Sequence, residues 1–499
     1  MSGAHPNQPY EDERRQGERE NTDVATALQD GVEYPGEEYP TKTAKGMEDL
    51  NSPDEGDLYD FERYDPQINI DREDEIRAER LKRRRVPTNV FQKYFSYIVP
   101  YGGLLSTGLN LASSSIGAGI IALPSAFYAS GIIMSIIYMV VIAYLTIYSY
   151  YLLGQVGHKT GLRNYEQLVR TLMGPGADYF LAFCMWFLSF GAEVSYAISL
   201  KDVLTAFLED SDSSPEFFRN IWGQRLLTFI VWLCVMLPLC LPKEINTLRY
   251  FSCVAVLFII FFVVCMVVHS AQNGLRQHPR PEIKMVNTGN TAIAGLATFI
   301  FAFLSQLNAY ECYAELYKPS PLRLTLGASV GVAIVFVLYL FAGLFGYLDF
   351  GPDMTGSALK MYNPVKDPLM GVGYGGILFK LCVGYGLHMI PVRDAIYHCI
   401  HVDVHTIAWW KNACVCTSMA VLSLIAGLFI PSINVVFGLV GGFSGGFIGF
   451  IYPSLLMMYA GNWTFSSVGW FHYFSTYLLL IVGVIGVVWG TASSIYGEI

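Results

Sequence analysis

From residue 102 onward the chain alternates long apolar runs with short polar ones. Runs of about 20 apolar residues are long enough to cross a bilayer as helices. Eleven occur, near 102–128, 130–154, 177–200, 223–242, 246–269, 291–316, 324–349, 375–399, 412–430, 432–458 and 471–491. Hydrocarbon offers no hydrogen bonds, so each span must satisfy its backbone internally, and an all-α bundle of eleven transmembrane helices is predicted. Upstream the pattern vanishes. Residues 1–95 hold no sustained apolar run and are rich in Glu, Asp, Pro, Gly and Tyr, a composition that cannot bury enough surface to fold. Two regions are therefore expected: an acidic, largely disordered tail over 1–95 and a membrane domain over 96–499.

Charge sharpens that division. The 499 residues are 53% hydrophobic and 15% charged, too apolar for a soluble globule of this size. Residues 1–95 carry 23 acids against 14 Lys and Arg, a net of −9, while the remainder carries 18 of each. No apolar segment suited to a secretory signal follows the first residues. Within the tail, 71–85 reads as a charged helix and 91–97 as an interfacial aromatic belt. Thirteen Lys and Arg flank the spans on the side of the tail and eight on the other, a bias that predicts a cytosolic amino terminus. Eleven spans then put Ile499 on the far side. The sequon at Asn462 falls in a cytosolic loop, where it would go unused. Ten cysteines lie mostly in apolar runs and read as small buried hydrophobes, with neither a disulfide framework nor a metal site.

Two spans are interrupted by poor helix formers. In the first, LASSSIGAGIIALPSAF (111–127) places a run of three serines, two glycines and a proline where lipid is deepest. Gly117, Ala118 and Gly119 also begin a GxGxxA dinucleotide fingerprint, but no strand precedes it and no acid lies about 20 residues on. A glycine pair for close helix packing explains the glycines, though neither Ser113, Ser114 and Ser115 nor Pro124. The sixth span carries FAFLSQLNAYE (301–311), with Gln306, Asn308 and Glu311 at membrane depth, where polar groups are costly unless they face a partner or cavity. Paired discontinuous helices in corresponding positions of two halves point to a carrier's binding site. The half-helix starting near Gly119 would offer its positive end to a carboxylate, and the other break carbonyls to a cation. A solute bearing both charges side by side is an α-amino acid.

SIGAGIIALPSA (115–126), FAFLSQLN (301–308), GLHMIP (386–391) and GGFSGGFIGFIYP (441–453) resemble the helix motifs of the amino acid/auxin permease family, most closely its kinetoplastid branch. The resemblance implies a leucine-transporter-type fold, two inverted five-helix repeats with broken helices 1 and 6 plus an eleventh helix. It also implies secondary active transport of amino acids; the plasma membrane is the expected location, with an acidic organelle as the alternative. The residues then expected to meet substrate are Ser115, Ile116, Gly117, Ala118, Gly119, Phe303, Ser305, Gln306, Asn308 and Glu311.

Glu193, in the third span, would line the substrate cavity in that fold. It would receive a cationic side chain or carry a coupling proton, the alternative being a structural ion pair with Arg393 or Lys380. His388, mid-span in the eighth helix, is a second proton candidate, since imidazole titrates near physiological pH. Tyr196, Phe303 and Phe443 are candidate cavity walls. Sodium in this fold is held by carbonyls of helix 1 and hydroxyls of helix 8. Between Phe379 and Ile400 this chain has no Ser or Thr, which favours proton coupling. The sequence thus describes an importer leaning toward arginine or lysine, with a neutral amino acid permease and a sensing protein of the same fold as alternatives. Expected partners are the amino acid, a proton and lipid, with no cofactor and no nucleic acid. With no HExxH, no paired intramembrane aspartates and no GxSxG elbow, an enzyme is not expected.

Overall fold

A computed structural model describes residues 102–117, 119–209, 216–242, 249–275, 282–316, 319–354, 356–402, 407–430, 432–461 and 463–496. The acidic tail, with its expected helix and aromatic belt, lies outside the described residues, as do Ala118 and Asn462. Regular structure among the described residues is helical throughout.

All eleven predicted spans are present, ten as helices long and apolar enough to cross a bilayer and one as a bent pair. That pair, the first span, is α1 (Leu104–Ser115) and α2 (Gly119–Ser130), which meet at 67°. Next come α3 (Ile132–Thr160), a short α4 (Tyr165–Met173), α5 (Ala177–Glu209), α6 (Ile221–Cys240) and α7 (Arg249–His269). The sixth span is divided into α8 (Asn290–Phe303), one 3-10 turn at Gln306–Asn308, and α9 (Ala309–Glu315). The last five spans are α10 (Pro321–Phe350), α11 (Pro368–Cys399), α12 (Trp409–Phe429), α13 (Ile433–Tyr459) and α14 (Phe465–Ile495).

Local chemistry sets the ends. Gly161 closes α3 in the left-handed region, φ 72°, and its amide bonds Gly157 O, the usual glycine stop. Asp367 opens α11 by accepting from the amides of Leu369 and Met370, with Pro368 at the first position, where a missing N–H costs nothing. The nine-residue α4 was not predicted, being too short and too amphipathic to register as a span. Asn164 caps it by accepting from Gln167 N, and Tyr165 Oη donates to Ile448 O of α13.

Two groups of helices result. α5 packs most extensively on α11, with α7 against α11 and α12 against α5. Around the broken spans, α10 packs on α1, α2 and α3, and α8 on α2. α13 lies against α8, α5 and α14. Between Gly441 and Ile451 it opens into wide π turns whose glycines admit neighbours closely: the positions of Cβ atoms at Gly441 and Gly446 are already taken by Phe301 and Val487. The outer surface is apolar, with Ile137 and Val140 of α3, Leu257 and Val264 of α7, and Trp470, Phe474 and Ile481 of α14 exposed. Such a continuous apolar exterior suits hydrocarbon rather than water. Polar pairs stand at opposite ends of α5: Arg170 and His398 on Asp178 at 3.6 and 3.3 Å, and Lys360 on Asp202 at 3.5 Å.

Candidate functional site

The two interruptions touch. A Cβ on Gly119, the first residue of α2, would lie 3.3 Å from Ala302 Cα near the end of α8. Asn308 Nδ2 donates to Ser114 Oγ at 2.7 Å, tying the 3-10 turn of the sixth span to the last turn of α1. Tyr339 of α10, fully buried, reaches both carbonyl ends: its hydroxyl stands 2.7 Å from Ser115 O and 3.0 Å from Ala302 O.

At the first break the chain leaves helical geometry at Ile116 (ψ 87°), whose amide still bonds Ala112 O. Gly117 N turns back onto Ser115 O at 2.9 Å, and Ser115 Oγ donates to Leu111 O at 3.2 Å. Ile116 is wholly buried. At Gly117 the hydroxyl of Tyr196 from α5 occupies the place of a Cβ, so any side chain there would have to displace that ring. The same ring crowds Gly384 of α11, where a Cβ would be 2.9 Å away, and lies 5.5 Å from the ring of His388. Lys380, Gly384 and His388 recur every four residues and so share one face of α11. Lys380 Nζ donates to Ser113 O at 2.9 Å.

At the sixth break Leu304 leaves helical geometry (ψ 115°), its amide on Phe301 O. The Ser305 amide donates to Gln306 Oε1 at 3.0 Å, Asn308 N to Ser305 O at 3.1 Å, and Tyr150 Oη of α3 to Ser305 Oγ at 2.8 Å. Gln306 is fully buried, its Nε2 without a partner among the described residues and lying toward Gly449 of α13. Phe303 is buried with its ring edge-on to Tyr339 at 5.4 Å.

The structure therefore brings together Ser115, Ile116, Gly117, Gly119, Phe303, Ser305 and Asn308, with His388 beside them through Tyr196. Glu311 stands apart, exposed on the first turn of α9, while Glu315 accepts from Asn110 Nδ2 of α1 at 3.3 Å. Glu193 is buried on α5, but its carboxylate faces Ser423 of α12, Tyr385 of α11 and Cys240 of α6 rather than the breaks. Neither of its oxygens makes a hydrogen bond among the described residues. The alternative ion pair is not formed: Arg393 Nε pairs with Asp394 at 2.9 Å, and Lys380 is turned to Ser113. Next to Glu193, Tyr385 is held by Trp232 Nε1 (3.0 Å), Ala420 O (3.1 Å) and Ser423 Oγ (2.6 Å). Phe443 lies among Phe183, Phe187 and Phe447, in an aromatic cluster between α5 and α13. Sequence reasoning missed Tyr339 and Tyr150. The available signal was weak, namely that a tyrosine buried in an apolar span needs a partner for its hydroxyl.

Backbone ends of opposite polarity, set side by side between broken spans, can hold a zwitterion. Residues 101–496 match the family described as transmembrane amino acid transporter protein. The chain belongs to that family. The transporter is 26% identical over 412 residues to an amino acid transporter of Arabidopsis thaliana, covering 79% of this chain and 83% of that one. It is also 26% identical over 379 residues to the sodium-coupled neutral amino acid symporter 2 of Danio rerio, covering 69% and 73%. Among solved structures, a mutant manganese transporter of Eremococcus coleocola superposes with a TM-score of 0.51 at 12% identity, over 83% of this chain and 90% of that one. That likeness concerns the fold alone, the leucine-transporter-type arrangement with broken helices 1 and 6. The transporter is thus a multi-pass membrane protein for amino acids and not an enzyme.

Proposed function

We propose that the chain is a secondary active importer of amino acids at the plasma membrane, coupled to protons and inclined toward cationic substrates. The observation that carries this reading is the contact between the two breaks, with the start of α2 against the end of α8. First-turn amides of α2 have no intrahelical partners and would receive the substrate carboxylate. Carbonyls of Ser115 and Ala302, with Ser305 and Asn308, would receive its ammonium. Ile116, Gly117, Ala118 and Phe303 would shape the space between. The domain from 96 to 499 would do the transport, with 1–95 as a cytosolic tail.

Proton coupling is supported by the lack of serine and threonine between Phe379 and Ile400 and by Glu193, a buried carboxylate whose oxygens make no hydrogen bond among the described residues and which can carry a proton between states. The cationic preference rests on Glu193 and Glu311. A neutral substrate is the second reading, favoured by the direction of Glu193, which faces α6, α11 and α12. Uptake of labelled arginine in a transport-null host, competed by each unlabelled amino acid, distinguishes these. Arginine and lysine are expected to compete best, and competition by small neutral amino acids alone would select the second reading. Glu193→Gln is expected to abolish acceleration by an inward proton gradient. Retention of that acceleration would remove Glu193 from the coupling.

A further inference from the structure

The last turn of α1 ends in carbonyls that a continuing helix would have paired with amides four residues on. Ser113 O would have met the amide of Gly117, but that amide turns back onto Ser115 O. A helix end of this kind carries partial negative charge and favours a cation. Here a side chain supplies it. Lys380, only 2% exposed, extends from α11 and donates to Ser113 O at 2.9 Å. An ammonium this far from water is costly unless it is held by a partner. Gly384 and His388 continue the same face of α11 against Tyr196, which fills the space beside Gly117. Lys380 therefore lies in the seam between α11 and the first break, on a helix whose stretch from Phe379 to Ile400 holds no serine or threonine.

We propose that Lys380 is a built-in counter-cation for the carboxyl end of α1, doing with a tethered ammonium what a dissociable alkali-metal ion does in a carrier that must bind one. The inference rests on the amino acid carrier reading and deepens it at one point: the first break needs no metal ion to balance its charge. It also makes Lys380 a positioning residue, since its bond joins α1 to α11 and so to the α5 group. Any outward swing of α1 must break that bond.

The test uses the purified full chain, melted in detergent and assayed for uptake in liposomes, in sodium chloride and in choline chloride at equal ionic strength. The wild type is expected to melt and transport equally in both. Lys380→Met is expected to lower uptake about ten-fold, the scale of one lost charge-assisted hydrogen bond, and Lys380→Arg to recover most of it. Lys380→Thr puts a hydroxyl near the vacated carbonyl, and its melting temperature is expected to rise in sodium relative to choline. Sodium-dependent melting of the wild type overturns the proposal. So does Lys380→Met that transports as the wild type does, or Lys380→Thr whose melting ignores sodium. If the wild type carries no amino acid, the carrier reading fails while the melting comparison still decides the role of Lys380.

Discussion

The breaks in the first and sixth spans solve the same problem with different materials. The first is made of Ile, Gly and Ala, side chains with nothing to offer a freed backbone, and its carbonyls are met from other helices: Ser113 by Lys380 and Ser115 by Tyr339. The sixth makes more of its own bonds, since Gln306 takes the Ser305 amide and Ser305 O takes the Asn308 amide, while Tyr150, Tyr339 and Ser114 hold it from other helices. A segment held by several other helices moves only by exchanging bonds with each of them. A segment holding itself travels as a unit.

Substitutions can break or sharpen that contrast. The largest effect is expected of Gly119→Leu, which drives a side chain into Ala302, 3.3 Å from the Cβ position. It should abolish uptake without removing protein from the membrane, as surface labelling beside uptake will show. Tyr339→Phe removes the one proton that a carbonyl of each break shares. Leaving a buried acceptor unmet costs about 1–3 kcal/mol, so the melting temperature should fall clearly and uptake about ten-fold. Tyr150→Phe affects the sixth break alone, where the loop keeps its own bonds. A fall in uptake of a few-fold, read in substrate affinity more than in maximal rate, would confirm self-support, and loss as severe as that of Tyr339→Phe would erase the distinction.

The smallest effect lies away from both breaks. Burial pushes the Glu166 carboxyl of α4 above its ordinary value of 4.5. A carboxyl raised by folding is harmless below the unfolded value and increasingly destabilising as pH rises through the folded one. Glu166→Gln should therefore raise the melting temperature slightly at about pH 7.5 and leave it unchanged at about pH 4, with uptake unaltered.

Hydropathy located every span because twenty apolar residues in a row have few other uses, and the serines and glycines of 113–119 marked a break because a buried helix gains nothing from them. Ends were less legible. α11 begins at Pro368, not near 375, and α5 runs to Glu209, not 200, since a helix outlasts the hydrocarbon and its polar ends carry no apolar signal. Direction was least legible. α5 is apolar around its circumference, so nothing in its sequence says that Glu193 looks toward Ser423 while Tyr196, three residues on, looks toward Gly117. Lys380 was visible only as a potential ion-pair partner, and its carbonyl partner lies 267 positions away, a distance that periodicity cannot span.

Tyr339 has one proton to give and two oxygens within reach. At any instant the proton serves one of them, and exchanging them takes only the spin of a hydroxyl, far quicker than the tilt of a helix. A guest ammonium that settles on one oxygen commits the phenol to the other. On the reading proposed above, occupancy on one side would reach the opposite half of the molecule through a single atom.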